Sequence, residues 1–143
     1  MTVGNILAIK GRGVTTALQS DTIGDVCAVL TEKKIGAVVV VTGEDRIAGI
    51  VSERDVVRAI AAHGGRALSV TVSEIMTSNV VTCEESHTIN QVMGKMTEGR
   101  FRHVPVTHND QLVGLISIGD VVKAKIAQIE ADAEQLRTYI ATA

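Results

Sequence analysis

Hydrophobic positions along this chain follow two alternating periods. Ile23, Val26 and Leu30 recur at the three- and four-residue spacing of one buried helix face. After them comes an unbroken apolar run, Ala37-Val-Val-Val-Val41, of strand length. RIAGIVS then reads as a second strand across a TGED turn, and DVVRAIAAH as a further helix. Sliding the sequence by about 65 positions lays the same pattern over itself. DTIGDVCAVLTEKKIGAVVVV (21–41) falls on HTINQVMGKMTEGRFRHVPVT (87–107), so Ile89, Val92 and Met96 take the helix-face positions. QLVGLIS matches RIAGIVS, and a one-residue length difference falls in the turn, TGED against HND. Each half therefore predicts strand, helix, strand, hairpin turn, strand, helix. The short first strands are expected at GVTTA near Val14 and NVVTC near Val80, with Ser20 and Ser86 in reach of N-cap positions.

A unit of about 60 residues with one helix-covered sheet face is marginal alone. Two such units packed about an approximate twofold cover each other's sheets. The expected class is α/β (α+β), with two βαββα repeats in pseudo-twofold packing and a C-terminal helix. Repeat 1 is expected over 6–64, a linker over 65–72, repeat 2 over 73–127 and a helical tail over 128–143. In AHGGRALSVTVSEIM, Gly64-Gly65 end a helix and Ser73 is placed to cap a short helical turn into Met76. The tail carries Ile126, Ile129, Ala133, Leu136 and Ile140 as one stripe, suited to core packing or to a partner or dimer surface.

Composition narrows the function classes. With 143 residues, 45% hydrophobic, 21% charged and a net charge of −2, the chain is not of disordered type and has no electrostatic pull on nucleic acid. No apolar run approaches the roughly 18 residues of a membrane span. MTVGNILAIKGRG lacks the basic segment and continuous apolar region of a signal peptide. Cys27 and Cys83 are not spaced as CxxC and form no metal-ligand cluster with the scattered histidines. A reduced, cytoplasmic protein with no metal, nucleic acid or membrane partner is expected. Phe101 and Tyr139 are the only aromatic residues, so a base-binding pocket must have aliphatic walls.

Candidate chemistry lies in two polar corners between apolar strands and apolar helices. GIVSERDVVRA (49–59) carries Ser52 and Asp55; GLISIGDVVKA (114–124) carries Ser117 and Asp120. One reading is a capping box, with serine as N-cap, the aspartate at the third helical position, and an anion favoured in the first turn. The other is a ribose site, because a carboxylate has two acceptor oxygens for a vicinal diol and a helix N-terminus favours a nearby phosphate. The two readings are compatible. An enzyme is not expected: GRGVTT lacks both the GK[ST] ending of a phosphate loop and the third glycine of a dinucleotide fingerprint. No serine–histidine–carboxylate set is evident. His103 reads as a strand residue lining a cleft rather than a general base, and His63, His87 and His108 fall in or near loops.

Two βαββα units, each closing with G-h-h-S-x-x-D, resemble the cystathionine β-synthase (CBS) domain pair, or Bateman module. IGAVVVV, GIVSERDVV, IMTSNVVT, FRHVPV and GLISIGDVV carry that resemblance from about Ile6 to Ala127, and EQLRTYI resembles the tail of free-standing members. The resemblance implies a sensor that binds AMP, ADP, ATP or NAD(H) in clefts between the repeats, with S-adenosylmethionine ranked behind them. It also implies a homodimer and a separate regulated protein that reads occupancy. The alternative is a ligand-free dimerisation or interaction scaffold. In the family a cleft takes its ribose aspartate from one repeat and part of its adenine wall from the other. Cleft B would join Ser117, Ile118, Asp120, Arg102 and His103 with Thr15, Thr16, Ala37 and Val38. Cleft A would join Ser52, Arg54 and Asp55 with Thr77, Asn79, Val81, Thr82 and Pro105. Arg102 holds the strand position of a phosphate-contacting arginine, where the first repeat has Gly36; Lys10, Arg12 and Arg54 are further phosphate candidates. Related members carry a tryptophan where this chain reads VTT, so adenine would be held by shape and backbone hydrogen bonds.

Overall fold

The computed structural model of the protein describes residues 1–142. In chain order the elements are α1 (Val3–Lys10), β1 (Thr16–Leu18), α2 (Ile23–Lys33), β2 (Ala37–Val41), β3 (Ile47–Ser52) and α3 (Glu53–His63). A 3-10 turn (Gly64–Ser69) and α4 (Val72–Ile75) follow, then α5 (Ile89–Gly99), β4 (His103–His108), β5 (Gln111–Ser117) and α6 (Ile118–Thr142).

Side-chain oxygens start most of the helices. Thr2, Thr22, Ser52 and Thr88 each close a capping box with the residue three positions on. Ser20 and Ser86 are therefore not the caps. The helices begin at Ile23 and Ile89, and only the residue directly before can set its oxygen over the third amide. Ser73 likewise lies inside α4, its hydroxyl 3.2 Å from that of Thr71. Gly64 ends α3 at φ 64, as expected.

β1 runs parallel to β2, and β2 pairs antiparallel with β3, giving the sheet order β1-β2-β3. In the second repeat β4 and β5 form a two-stranded antiparallel sheet, and Cys83 adds one parallel bridge to Val106. The strand expected at NVVTC thus shrinks to a single bridge, and the one at GVTTA begins at Thr16. The carbonyl of Thr82 accepts from Lys95 Nζ at 2.9 Å, which keeps that acceptor out of a ladder. β4 turns into β5 through Asn109 and Asp110, both at positive φ (51 and 62), the conformation of a two-residue hairpin turn matched to strand twist.

The segment preceding each repeat packs into the other one. Val3, Ile6 and Leu7 of α1 join the core of Ile89, Val92, Met96, Val104, Val106 and Ile116. Val72 of α4 joins the core of Ile23, Val26, Leu30, Val38, Val40 and Val51. The exchange is pseudo-symmetric in hydrogen bonds too: Thr2 bridges Thr88, and Thr22 bridges Thr71. Gly49 and Gly114 admit the crossing segments. A Cβ on Gly49 would lie 2.6 Å from Met76 Sδ, and one on Gly114 would lie 2.8 Å from Leu7 Cδ1. The motif glycine is there for this close approach.

The tail is not a separate helix but the continuation of α6, 25 residues long. The stripe expected to serve the core or a partner surface is not in the core: Ile126, Ile129, Leu136 and Ile140 are all more than half exposed. No helix among the described residues is long and apolar enough to cross a membrane.

Candidate functional site

Both polar corners are capping boxes, each at the junction of a strand and a helix. In the first, Asp55 Oδ2 accepts from the Ser52 amide at 2.8 Å and the Ser52 hydroxyl at 3.1 Å, while the Asp55 amide donates back to Ser52 Oγ at 3.4 Å. In the second, Asp120 Oδ2 accepts from the amide and hydroxyl of Ser117, both at 2.9 Å, and the Asp120 amide donates to Ser117 Oγ at 3.2 Å. The strands feeding these corners match as well. Glu53 N donates to Gly36 O at 3.0 Å, and Ile118 N donates to Arg102 O at 2.8 Å.

The cap occupies Oδ2 in each case, and the other carboxylate oxygen is where the corners differ. Asp55 is buried, and its Oδ1 receives a long hydrogen bond from the Thr77 hydroxyl at 3.5 Å. Asp120 is half-buried; Lys10 Nζ reaches its Oδ2 at 2.6 Å and the Leu115 carbonyl at 2.8 Å. No hydrogen bond among the described residues reaches Asp120 Oδ1. Thr77 follows α4 and Lys10 ends α1, so each corner is met by the segment that crosses from the chain stretch before the other repeat. Burial raises the Asp120 carboxyl, but hydrogen bonds from Lys10 and Ser117 outweigh it and hold the group below its ordinary value.

Between the corners lies the inter-repeat seam. A Cβ on Gly36 would meet the His103 ring, 3.3 Å to Cε1 and 3.4 Å to Nε2, and Glu53 Oε1 at 3.5 Å. His103 therefore covers Gly36 beside Glu53, where a larger residue at position 36 would push it off. Burial lowers the His103 imidazole, helped by Lys10 and Arg102 and opposed by Glu53 and Asp120.

The structure distributes the expected site residues unevenly. Ser52, Asp55 and Thr77 come together in the first corner, and Lys10, Ser117 and Asp120 in the second. Asn79, Val81, Thr16 and Ile118 are exposed nearby in sequence, with Thr15 and Thr82 half-buried. Ala37, Val38 and Pro105, expected as cleft walls, are buried. β2 is the central strand of its sheet, and Val38 points into the first core. Three of the expected phosphate cations are held by protein acceptors: Lys10 by Asp120, Arg12 by Glu85 at 2.5 Å, and Arg54 by the Arg100 carbonyl at 3.2 Å. Arg102 lies one residue before β4, exposed, with no side-chain hydrogen bond or ion pair among the described residues. Glu53 was not anticipated. Its signal was the mismatch between SERD and SIGD, which sets Glu53 against Ile118.

Comparisons with known proteins agree on the architecture. A family model described as the CBS domain matches twice, over residues 7–62 and 72–127. The mitochondrial CBS domain-containing protein CBSX3 of Arabidopsis thaliana is 33% identical over 147 residues, covering 97% of this chain and 71% of the relative. A CBS-domain containing protein from Agrobacterium tumefaciens has a crystal structure with a TM-score of 0.85 and 48% identity, covering 87% of this chain and 99% of that one. A CBS domain pair solved in complex with 5′-methylthioadenosine and S-adenosyl-L-methionine gives a TM-score of 0.80 at 25% identity, covering 90% of this chain and 98% of its own.

Proposed function

The chain belongs to the CBS-domain family as a tandem pair, and on that premise we propose that it is a ligand sensor. It binds an adenosine-containing molecule in clefts between its repeats, as a homodimer, and relays occupancy to a separate regulated protein. One observation carries the reading: each corner fixes its aspartate through a cap on Oδ2 and is met by the segment that crosses from the stretch before the other repeat, Thr77 on Asp55 Oδ1 and Lys10 on Asp120 Oδ2. A ribose hydroxyl donating to either carboxylate sits where the two repeats meet, which couples binding to their relative orientation. At the second corner Asp120 Oδ1 is open to one hydroxyl of the diol, and the other must share Oδ2 with the cap or displace Lys10; at the first corner Asp55 Oδ1 is already shared with Thr77.

The clefts differ in charge. Cleft B has Lys10 on Asp120 and the exposed Arg102 just before β4, which favours the phosphate of AMP, ADP, ATP or NAD(H). At cleft A Asp55 stands with Arg54 turned to the Arg100 carbonyl, which favours a neutral or cationic adenosine compound such as S-adenosylmethionine. Support for adenosine chemistry as a class comes from the similar CBS pair solved with 5′-methylthioadenosine and S-adenosyl-L-methionine. A ligand-free scaffold is the second reading, favoured by corners whose caps are complete and whose Asp120 already has a cation.

The test is thermal unfolding of wild type, Asp55→Ala and Asp120→Ala with AMP, ADP, ATP, NAD, NADH and S-adenosylmethionine. A ligand at 100 times its Kd stabilises the native state by about 2.7 kcal/mol. Losing one charge-assisted hydrogen bond, about 1.5–3 kcal/mol, weakens binding roughly 10- to 150-fold. Loss of a cap costs about 1 kcal/mol without ligand, so the ligand-induced shift is the readout rather than the melting temperature itself. A shift lost in one variant identifies ligand and cleft; no shift with any ligand, from protein shown free of bound nucleotide, leaves the scaffold.

A further inference from the structure

The exposed face of α6 has a spacing that a globular core does not require. Ile126, Ile129, Ala133, Leu136 and Ile140 follow one another in alternating steps of three and four. That is the heptad seam of a coiled coil, narrower than the stripe of a core-facing helix. The core contacts of α6 are made by Val121 and Ala124. At 100° per residue the seam residues stand between about 90° and 170° round the helix from the mean direction of Val121 and Ala124. Four of them are exposed, 52% at Ile126, 56% at Ile129, 59% at Leu136 and 65% at Ile140, and Ala133 between them is half-buried.

We propose that the C-terminal half of α6 pairs in parallel with the same segment of a second copy as a two-stranded coiled coil. This deepens the homodimer of the proposed function by assigning its surface and orientation, and needs no ligand. Ile126, Ala133 and Ile140 take the a positions, and Ile129 and Leu136 the d positions. The flanking charges identify the occupant. In a parallel pair a g residue faces the e residue of the next heptad on the other strand. Lys125 at g meets Glu130 of the second copy at e, and Asp132 meets Arg137 of the second copy; both pairs are attractive. Lys125 also donates to Asn90 within its own chain at 3.1 Å, so Asp132 with Arg137 is the stronger discriminator. Arg137 reaches Glu134 of its own helix, but with side chains 74% and 69% exposed that pair yields easily to a better one. Antiparallel pairing that layers Ile129 on Ala133 of the second copy would instead bring Asp132 to Asp132 and Glu130 to Glu130 of the second copy. The seam is short, and two heptads of free peptide would pair weakly. Here the helix is already formed and anchored through α5 and α1, so association does not bear the cost of folding it.

The test uses the full-length chain. Light scattering on wild type should give a dimer, and Ile129→Asp/Leu136→Asp a monomer with wild-type circular dichroism. Arg137→Glu should weaken the dimer, and adding Asp132→Arg to the same chain should restore it. Under mild oxidation, Ile129→Cys and Leu136→Cys should each form self-crosslinked dimers above the wild-type background set by Cys27 and Cys83. A monomeric wild type overturns this proposal and the homodimer together. A dimer that survives Ile129→Asp/Leu136→Asp overturns the coiled coil alone. Crosslinking only when the two cysteine variants are mixed overturns the parallel orientation.

Discussion

Gly49→Ala probes the exchange of segments that builds the first corner. The added methyl carbon would lie 2.6 Å from Met76 Sδ, 2.9 Å from Met76 Cγ and 2.8 Å from the Thr77 carbonyl oxygen. The methionine tip can move, but the carbonyl cannot move cheaply. Thr77 is pinned to β3 by two backbone hydrogen bonds, N to Ile50 O at 2.9 Å and O from Ile50 N at 3.0 Å. Relief requires the Met76–Thr77 segment to retreat by roughly half an ångström in a close-packed seam. Overpacking of this kind costs about 1–3 kcal/mol, and the entropy lost from the unfolded chain on replacing glycine returns about 0.4–1 kcal/mol. The net loss is therefore roughly 1–2 kcal/mol, or a fall in Tm of about 3–8 °C for a chain of this size. Urea unfolding followed by circular dichroism measures it, with Gly43→Ala as control, since a Cβ there meets nothing within 4 Å. The same retreat draws the Thr77 hydroxyl away from Asp55, so any ligand held at cleft A should weaken in parallel. A Gly49→Ala protein within about 0.5 kcal/mol of both wild type and control would refute the close approach.

Two other predictions concern titrating groups. Lys10→Met removes the cation beside Asp120 and a neighbour that lowers His103. Its cost at neutral pH should be under about 1 kcal/mol, because the lysine is more than a third exposed. The folded-state Asp120 value lies below the unfolded one, so its stabilisation is complete above about pH 4 and is lost as pH falls through the folded value. Without Lys10 the acid-unfolding midpoint should move to higher pH and the His103 NMR titration should move up; unchanged curves for both would show that the pair does not form. Cys83, pushed up to about 11 by burial, should stay a thiol at neutral pH, while the half-buried Cys27 is the accessible one. A thiol-reactive dye should therefore count one cysteine in the native protein and two after denaturation; two fast-reacting native thiols would contradict the burial.

The repeat, its helix faces and its two capped corners could be read from the sequence because each rests on residues close together in the chain. Ile23, Val26 and Leu30 report a helix face by spacing alone, and a serine three residues before an aspartate is itself the capping contact. Cap positions slipped from Thr22 to Ser20 and from Thr88 to Ser86, because both threonine and serine are competent caps and only the exact helix start separates them. Other features needed the fold. Lys10 meets Asp120 across 110 positions of sequence, and Thr77 meets Asp55 only because α4 crosses into the first repeat. Burial of Ala37, Val38 and Pro105 follows from strands covered on both faces, which periodicity within one strand does not report. The α6 stripe is the clearest division between the two sources. Its spacing was in the sequence, but whether an apolar helix face is covered depends on where the rest of the chain runs, and here the chain leaves it open.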